Sequence, residues 1–423
     1  MNLNKKFKID GLWHLPTSDN KEIGGILTFH PKFGAKIKLI GFLQEPKETY
    51  LKPEKGSYFE VIHGVLESGE LVTLIDCFRI NYKANVRMKI SISLYSVRLI
   101  LIGIHLEKRS LAIFDKASFQ INVFPQWMRR NIVKKKLFYS SDEYDGFELK
   151  FLKSKNQDTY SYEIDPNLKM EFKSYAGIKE VNFSDYELKS NYSIILSFNE
   201  LRNFSFILEE SNRFISFLRL CFSDCVYFLN FYFHIETGVK EDSLSSWKRI
   251  FFKQRYFKKQ SGRSLYMHIS YEDLKDKIDE ILVNWMILDK RFDPIIETLT
   301  ELNERGKEFT IKDFLNITQC VDGFHRMAIS PSRTQFIHRI KKIISDFDYV
   351  NRLQFSEVEI QRIVDNRDYY THLHLDKEVE LFSMPELYKK TRQLYSLLLF
   401  SLLVKIGFTK DMIIKYSEDP YLY

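Results

Sequence analysis

Residues 356–372 read SEVEIQRIVDNRDYYTH, and this stretch decides how the C-terminal part of the chain folds. Ser356, with Glu359 three residues later, forms the capping-box pattern that satisfies free backbone amides at the start of a helix. Apolar residues then recur at spacings of three and four, which predicts one buried helix face; they are Ile360, Ile363 and Val364.

Arg367 continues this face by one turn, and a guanidinium there is costly unless it is paired or opens onto a cleft. Asp368 and His372 are four residues apart, so they are neighbours on one helix face. RNA cleavage by a 2′-hydroxyl group can use an imidazole to move protons, an arginine to bind phosphate and a carboxylate to orient the histidine. The candidate catalytic residues are therefore Arg367, Asp368 and His372.

The surrounding sequence predicts an α+β protein. Strand-like runs rich in β-branched and aromatic residues fill the first half, among them 89–95 and 98–106, and a hairpin turn is expected at residues 67–70. Helical spacing dominates after about residue 270, beginning with a helix expected over 272–289. We expect a β-rich N-terminal domain over 1–245 and an all-α helical bundle over 246–423, with the last long helix beginning at a second capping box, Ser383 and Glu386, and ending near Gly407. Residues 211–233 fit either a helix or a buried strand.

Composition restricts the partners and the compartment. The net charge of +7 permits an anionic partner without requiring one. Four scattered cysteines indicate a reducing cytoplasm, and the two most apolar stretches are too interrupted or too short to cross a membrane. Zinc binding by Cys221 and Cys225, or a metal site at His372 and His374, is less favoured than a core or surface position for these residues. We expect no cofactor and no bound metal.

The quoted motif resembles the Arg-x4-6-His signature of HEPN ribonucleases, in which a polar residue follows the arginine. FLNITQCVDGFHR (residues 314–326) is similar to an early helix of the ApeA-like branch, and the resemblance implies an acidic residue near the site at Asp322. GLWHLP (11–16) and VTLIDC (72–77) resemble the β-rich N-terminal domain of ApeA-type proteins. The resemblance implies a bacterial antiphage ribonuclease acting on RNA, with tRNA as one candidate. It also implies a phage-derived trigger for the N-terminal domain and a homodimer or higher homo-oligomer with facing motifs.

Other patterns in the chain compete with this interpretation. Arg98–His105, Arg263–His268 and Arg333–His338 have similar spacing, but they lack a polar amide or acidic residue after the arginine. Asp165 with Glu171 and Lys173 loosely matches a metal-dependent nuclease. Residues 247–263 interleave basic and aromatic side chains, which suits RNA contact or a buried connection between domains; the candidate RNA contacts are Lys248, Arg249 and Arg255.

Two further functions stay open at this stage. The bundle could be a non-catalytic module that binds RNA or a partner. Alternatively, the β-rich half could recognise a phage component while the helices only dimerise the chain. Substitution of His372 separates these from an enzyme, because only an enzyme loses function while it stays folded.

Overall fold

The computed structural model describes residues 1–17, 22–43, 58–85, 90–128, 133–140, 143–151, 159–182, 185–223, 225–235, 246–255, 257, 266–303, 308–372 and 380–419. The chain divides into two units. The first contains Met1–Gln126, Arg130–Ser211 and Val226–Ser261, and the second contains Trp127–Arg129, Asn212–Cys225 and Gly262–Tyr423.

The first unit is built from antiparallel strands. The strands are β1 (Phe7–His14), β2 (Ile23–His30), β3 (Gly34–Ile40), β4 (Tyr58–Leu66), β5 (Leu71–Asn85), β6 (Ile90–Ile102), β7 (Ile113–Ile121), β8 (Val133–Ser140), β9 (Glu143–Phe151), β10 (Thr159–Asp165), β11 (Leu168–Asn182), β12 (Asp185–Asn203), β13 (Phe228–His234) and β14 (Trp247–Phe252). Two helices precede residue 222, namely α1 (Phe124–Met128) and α2 (Phe204–Cys221).

Six of these strands form a closed ring. β6 pairs with β3, and the order continues through β2, β1 and β4 to β5, which pairs back with β6. The rest of the large sheet runs from β6 through β14, β13, β7, β12 and β11 to β10. β6 belongs to both the closed ring and the rest of the sheet. Along one edge of β6, residues 92–97 pair with β3 and residues 99–102 pair with β14. Closure leaves fewer exposed strand edges.

The sequence pattern identified most of these strands. The hairpin expected at residues 67–70 joins β4 to β5, and Gly69 supplies the positive φ of 82° that its turn needs. The two runs that we predicted separately, 89–95 and 98–106, meet in the single strand β6, which ends at Ile102. The ambiguous segment 211–233 contains both alternatives, because α2 ends at Cys221 and β13 begins at Phe228.

Trp13 fills the core of the closed ring. Its indole is fully buried, and its Nε1 donates a hydrogen bond to the carbonyl oxygen of Gly25 at 3.2 Å. Gly64 lies opposite Trp13 in the β1–β4 register. A Cβ atom at Gly64 would lie only 2.3 Å from Cε3 of the indole, so a residue without a side chain is required there.

The second unit is helical. Its remaining helices are α3 (Tyr271–Leu274), α4 (Ile278–Met286), α5 (Asp293–Leu302), α6 (Ile311–Phe324), α7 (Phe336–Ser345), α8 (Glu357–His372), α9 (Met384–Lys405) and α10 (Lys410–Ser417). α6 continues directly into a π-helical turn, His325–Ile329. α9 contacts α5, α6 and α7, and its middle part is buried on all sides. A helix that is apolar all round occupies the centre of a bundle.

The expected helix signals are confirmed at α8 and α9. Each begins at its capping box, and α9 ends just before Gly407, which has a φ of 110°. The helix expected over 272–289 is instead two helices, α3 and α4, separated by a turn. The α+β class, β-rich first and helical afterwards, is therefore confirmed.

The units do not follow the expected division at 245/246. β14 lies after this point, yet it pairs with β6 and β13 in the sheet. Conversely, residues 212–225 group with the helical unit. Hydrophobic periodicity could not show this, because strand pairing joins segments that are distant in sequence. Among the described residues, no helix is both long and apolar enough to cross a membrane.

The contact between Gly64 and Trp13 leads to a stability prediction. Gly64→Ala is expected to lower the free energy of unfolding by about 1–3 kcal/mol, because the added methyl group overpacks the core against the indole. Urea unfolding of the full chain measures the change. Gly24→Ala is the matched control, since nothing lies within 4 Å of a Cβ built at Gly24. Equal midpoints for the two variants would contradict the prediction.

Candidate functional site

α8 carries all three candidate catalytic residues on one continuous helix that ends at His372. Asp368 and His372 therefore lie one turn apart on the same face. Arg367 precedes His372 by five residues, which places them about 140° apart around the helix axis and about 7.5 Å apart along it. The helix thus presents the arginine and the histidine on different sides.

Arg367 is held by an aromatic ring and a carboxylate. Its guanidinium carbon lies 4.6 Å from the ring centroid of Phe336 on α7, a cation–π distance. Its Nη1 atom lies 3.1 Å from Oδ1 of the neighbouring Asp368. The side chain is 25% exposed, and its buried Nε has no hydrogen-bond partner in the described part of the chain. The arginine is thus oriented yet still reachable from solvent.

His372 is exposed at the C-terminal end of α8. Just before it, the Thr371 hydroxyl donates a hydrogen bond to the carbonyl oxygen of Arg367 at 2.7 Å, which tightens the last turn. An exposed imidazole can exchange protons with a bound molecule directly. His374, weighed above as a metal ligand, lies outside the described residues.

Asp322 is engaged in structural ion pairs. Its two carboxylate oxygens lie 2.6 Å from Nη1 of Arg339 and 2.8 Å from Nη2 of Arg326. Arg339 is buried on α7, three residues after the Phe336 that supports Arg367. Residues three apart share a helix face. Asp322 therefore stabilises the position of α7, the helix that carries the Phe336 ring.

Asn366 is a site residue that our sequence analysis missed. Its side chain is fully buried, and its Oδ1 accepts a hydrogen bond from the backbone N–H of Phe382 at 2.9 Å. Its Nδ2 donates to the carbonyl oxygens of Glu380 at 3.2 Å and Arg362 at 2.9 Å. The Asn366 amide thus connects α8 to the backbone of Glu380 and Phe382, which follow His372 in the chain.

The buried face of α8 differs from the predicted stripe. Ile360 and Ile363 are buried as expected, but Asn366 completes the buried set, while Val364 and Arg367 are only half-buried. The sequence contained one sign of this, because an amide residue occupies a position where the helical spacing predicts an apolar one. Such a group is tolerated only when its hydrogen bonds are made, and here backbone groups of two segments supply them.

A second polar contact connects the start of α8 to α9. Nζ of the buried Lys390 lies 2.5 Å from Oε1 of Glu359, and it also donates to Gln393 at 3.0 Å. The lysine ammonium, together with the backbone amide of Ser356, lowers the pKa of Glu359 to about 2. Glu359 therefore stays ionised at neutral pH. Its carboxylate accepts hydrogen bonds from the backbone amide of Ser356 at the start of α8 and from the ammonium of Lys390.

The three candidate RNA contacts lie in the first unit. Lys248 and Arg249 are consecutive in β14, so their side chains point to opposite faces of the sheet. Arg255 is exposed just after this strand. Phe251 and Phe252 are buried, so these two rings are not free to stack on bases. Of the other basic residues in 247–263, Lys253 is exposed, whereas Lys258, Lys259 and Arg263 lie outside the described residues.

The competing patterns have other surroundings. Asp165 caps a hairpin turn through the amide of Asn167, whereas Glu171 lies in mid-strand between two lysines. His338 is exposed on α7 and lies four residues N-terminal to Lys342, which pairs with Asp346. Neither arrangement brings together the groups that a nuclease site needs among the described residues.

His268 belongs to a buried chain of polar groups. Its Nε2 contacts the hydroxyl of Ser223, and its Nδ1 lies 2.8 Å from Oδ2 of Asp419. The order Ser–His–Asp is that of a hydrolase triad. However, the serine is 4% exposed and the histidine side chain is fully buried, so a substrate has no approach to the hydroxyl. The three groups hold the end of α2 against the C-terminal segment.

A cavity of about 510 Å³ lies in the first unit. Buried Asp76 forms part of its wall and adopts a φ of 56°, an uncommon value for a residue other than glycine. Its carboxylate accepts a hydrogen bond from the Tyr58 hydroxyl at 2.7 Å, and it pairs with Arg98 at 3.3 Å and Arg109 at 3.2 Å. Asp76 therefore neutralises part of the positive charge that the two arginines bring to the cavity.

Two family models match the chain. The model described as ApeA N-terminal domain 1 matches residues 8–285, and the model described as Apea-like HEPN matches residues 300–412. The second match includes α6 to α9 and thus the whole Arg367–His372 motif. No curated protein and no solved structure was found to match. The matches confirm the resemblance noted in the sequence. HEPN domains are generally ribonucleases, and this family indicates ribonuclease-type antiphage defence.

The buried amide of Asn366 leads to a second stability prediction. Asn366→Ala is expected to lower the free energy of unfolding of the helical unit by about 1–3 kcal/mol, because the Phe382 amide and the Glu380 carbonyl lose their partner. Urea unfolding followed by circular dichroism at a helical wavelength measures this. Gln361→Ala is the control, since Gln361 is an exposed amide on the same helix and donates a hydrogen bond to the side chain of Asp365 at 2.9 Å. An equal loss in both variants would refute the assignment.

Proposed function

Since the chain belongs to the ApeA family of HEPN proteins, we propose that it is a metal-independent endoribonuclease of antiphage defence. The observation that carries the proposal is the end of α8, where Arg367 is oriented by Phe336 and Asp368 while His372 stays exposed one turn beyond Asp368. A fixed cation and an accessible imidazole on the same helix suit the cleavage of a phosphodiester.

Each residue has a distinct role in the proposed reaction. The 2′-hydroxyl oxygen attacks the adjacent phosphorus while His372 acts as general base or general acid for the protons involved. Arg367 binds the phosphate and stabilises the negative charge that grows on its oxygens. Asp368 orients the guanidinium and lies within one turn of the imidazole. The 5′-oxygen leaves, so the products carry a 2′,3′-cyclic phosphate and a 5′-hydroxyl.

The separation of Arg367 from His372 supports a dimeric site. On one helix the two side chains diverge by about 140°, so one copy does not easily focus both on a single phosphate. Two copies of α8 facing one another across a two-fold axis can place the arginine of one protomer beside the histidine of its partner. We therefore propose that the active form is a homodimer or a higher homo-oligomer.

The finer features of the proposal follow from the family and from the composition. The substrate is RNA, with tRNA as one candidate, and the site of action is the cytoplasm. The β-rich N-terminal domain receives a phage-derived trigger. Lys248, Arg249 and Arg255 are proposed to contact RNA outside the cleavage site. Neither a cofactor nor a catalytic metal takes part in this mechanism.

Cleavage of total bacterial RNA in EDTA tests the proposed reaction. Wild-type protein is expected to leave cyclic-phosphate ends, and His372→Ala is expected to reduce the rate by at least about 100-fold, since general acid–base catalysis contributes about 10² to 10⁴. His338→Ala is the matched control, because His338 is an exposed histidine on neighbouring α7. Unchanged cleavage by the His372 variant, or a requirement for Mg²⁺, would overturn the mechanism.

If neither protein cleaves RNA in vitro, a phage challenge of cells that express each variant decides the matter. The nuclease proposal expects protection to disappear with His372→Ala and to persist with His338→Ala. Protection that survives the loss of His372 would instead favour a protein that acts by binding alone.

Mixing two inactive variants tests the dimeric site. If each site takes Arg367 from one protomer and His372 from its partner, a mixed dimer of Arg367→Ala and His372→Ala retains one intact site. A random mixture then recovers about a quarter of the wild-type sites, because half of its dimers are mixed. Co-expression of the two variants and assay of the purified mixture measure this. No recovery in a mixture shown to contain mixed dimers would refute a shared site.

A further inference from the structure

Three histidines cluster in the first unit, far from α8 in sequence. His14 ends β1 and lies directly opposite His63 of β4 in the antiparallel register. His105 lies in the segment just after β6. One ring nitrogen of each histidine lies within 4.8 Å of a ring nitrogen of both others. Residues opposite each other in such a register have neighbouring side chains, so the pairing of β1 with β4 creates this proximity.

The three rings have a defined arrangement. The rings of His63 and His105 are parallel, with an interplanar angle of 3° and centroids 4.2 Å apart. The ring of His14 meets both at a steep angle, with centroids 5.5 Å from His63 and 5.7 Å from His105. His63 is buried, and the other two are half-buried. The cluster is therefore largely shielded from water.

The hydrogen bonds of His63 and His105 determine which of their ring nitrogens can bind a ligand. Nε2 of His63 lies 2.9 Å from the carbonyl oxygen of Leu106, and Nε2 of His105 lies 2.9 Å from that of Gly64. A carbonyl oxygen only accepts, so Nε2 carries the hydrogen in both rings. In a neutral imidazole the other nitrogen, Nδ1, then has a free lone pair.

His14 adds a nitrogen without a partner. Its Nδ1 is buried, and none of the described residues forms a hydrogen bond with it. A buried polar atom that lacks a partner costs free energy, unless a ligand occupies the space beside it. Histidines that bind metals commonly donate their second ring N–H to a backbone carbonyl, which is the arrangement at His63 and His105.

We propose that His14, His63 and His105 bind a divalent transition-metal ion, with Zn²⁺ as the expected ion and water as the fourth ligand. Three imidazoles without a carboxylate ligand suit zinc rather than Mg²⁺ or Ca²⁺, which prefer oxygen. The site is separate from the proposed nuclease residues. Its role is to link β1, β4 and the segment after β6, and thereby to stabilise the closed ring of strands.

Metal binding requires the parallel pair of rings to open. Tetrahedral zinc with bonds of about 2.0–2.1 Å brings its ligand nitrogens to about 3.3 Å from each other, closer than in this structure. The lone pair of an imidazole lies in the ring plane, so stacked rings must tilt until both planes meet at the ion. Without metal, the hydrogen bonds of His63 and His105 still hold the rings near these positions.

Metal content and stability test the proposal independently of RNA cleavage. The full chain carrying His372→Ala is used, so that the outcome does not depend on nuclease activity. After stripping with a chelator and reloading with Zn²⁺, elemental analysis is expected to find about one zinc per chain. Zinc is also expected to raise the melting temperature, because a ligand that binds only the folded state stabilises it. Stripped protein loaded with Co²⁺ is expected to show the visible absorption of a four-coordinate site.

Single substitutions locate the metal. His14→Ala is expected to weaken zinc binding by more than about 100-fold, since the loss of an outer partner alone costs about 10- to 100-fold. This variant loses no hydrogen bond at Nδ1, so it is expected to fold. His30→Ala is the matched control, because His30 lies on β2 outside the cluster and its Nδ1 accepts a hydrogen bond from the amide of Lys32 at 3.1 Å. The proposal is wrong if folded protein retains no zinc and shows no thermal shift, or if the two variants bind zinc equally.

Discussion

The hydrogen bonds of Asn366 are the constraint on which the end of α8 depends. This amide lies on the buried face of the helix. It makes one hydrogen bond within α8, to the carbonyl oxygen of Arg362, and two with the backbone of Glu380 and Phe382. Arg362 supports the same segment through Glu380, 3.2 Å away, and by stacking on Phe382. Because the chain is fixed on both sides of this junction, the helix can end at an exposed histidine without fraying further back.

The helical unit repeats this use of polar groups at helix contacts. Asp322 holds the buried Arg339 of α7, and Lys390 of α9 holds Glu359 of α8. Removal of one partner from such a pair leaves a poorly solvated charge, so these pairs specify which helices meet and in which register. Arg367 differs from them. Its aromatic and carboxylate neighbours orient it while its side chain stays partly open to solvent, as the proposed role in phosphate binding requires.

In the first unit, strand register has the corresponding role. Trp13 fits because Gly64 faces it across the β1–β4 pair, and the next position along brings His14 opposite His63. A shift by one residue would move every side chain of a strand to the other face. The bulky indole therefore sets the register, and the histidine cluster is a consequence of it. The first unit thus combines a tightly packed core with a polar cluster built from the same strands.

Local features of this structure were easier to predict from the sequence than long-range features. Helix caps at Ser356 and Ser383 and the end at Gly407 were predicted correctly, because they depend on residues within one or two turns. The HEPN motif was recognisable for the same reason. The merging of two runs into β6 and the break between α3 and α4 were missed, since tertiary packing overrides local pattern at such points.

By itself, the sequence determined the α+β class, the order of the two kinds of structure and the position of Arg367, Asp368 and His372 on a late helix. Those properties arise from side-chain periodicity and capping, which act between near neighbours. Only the tertiary structure decided that Asn366 binds the returning chain, that Asp322 supports α7, and that His14, His63 and His105 meet. The physical reason is that these contacts join segments far apart in sequence, whose proximity depends on strand pairing and helix packing across a whole unit.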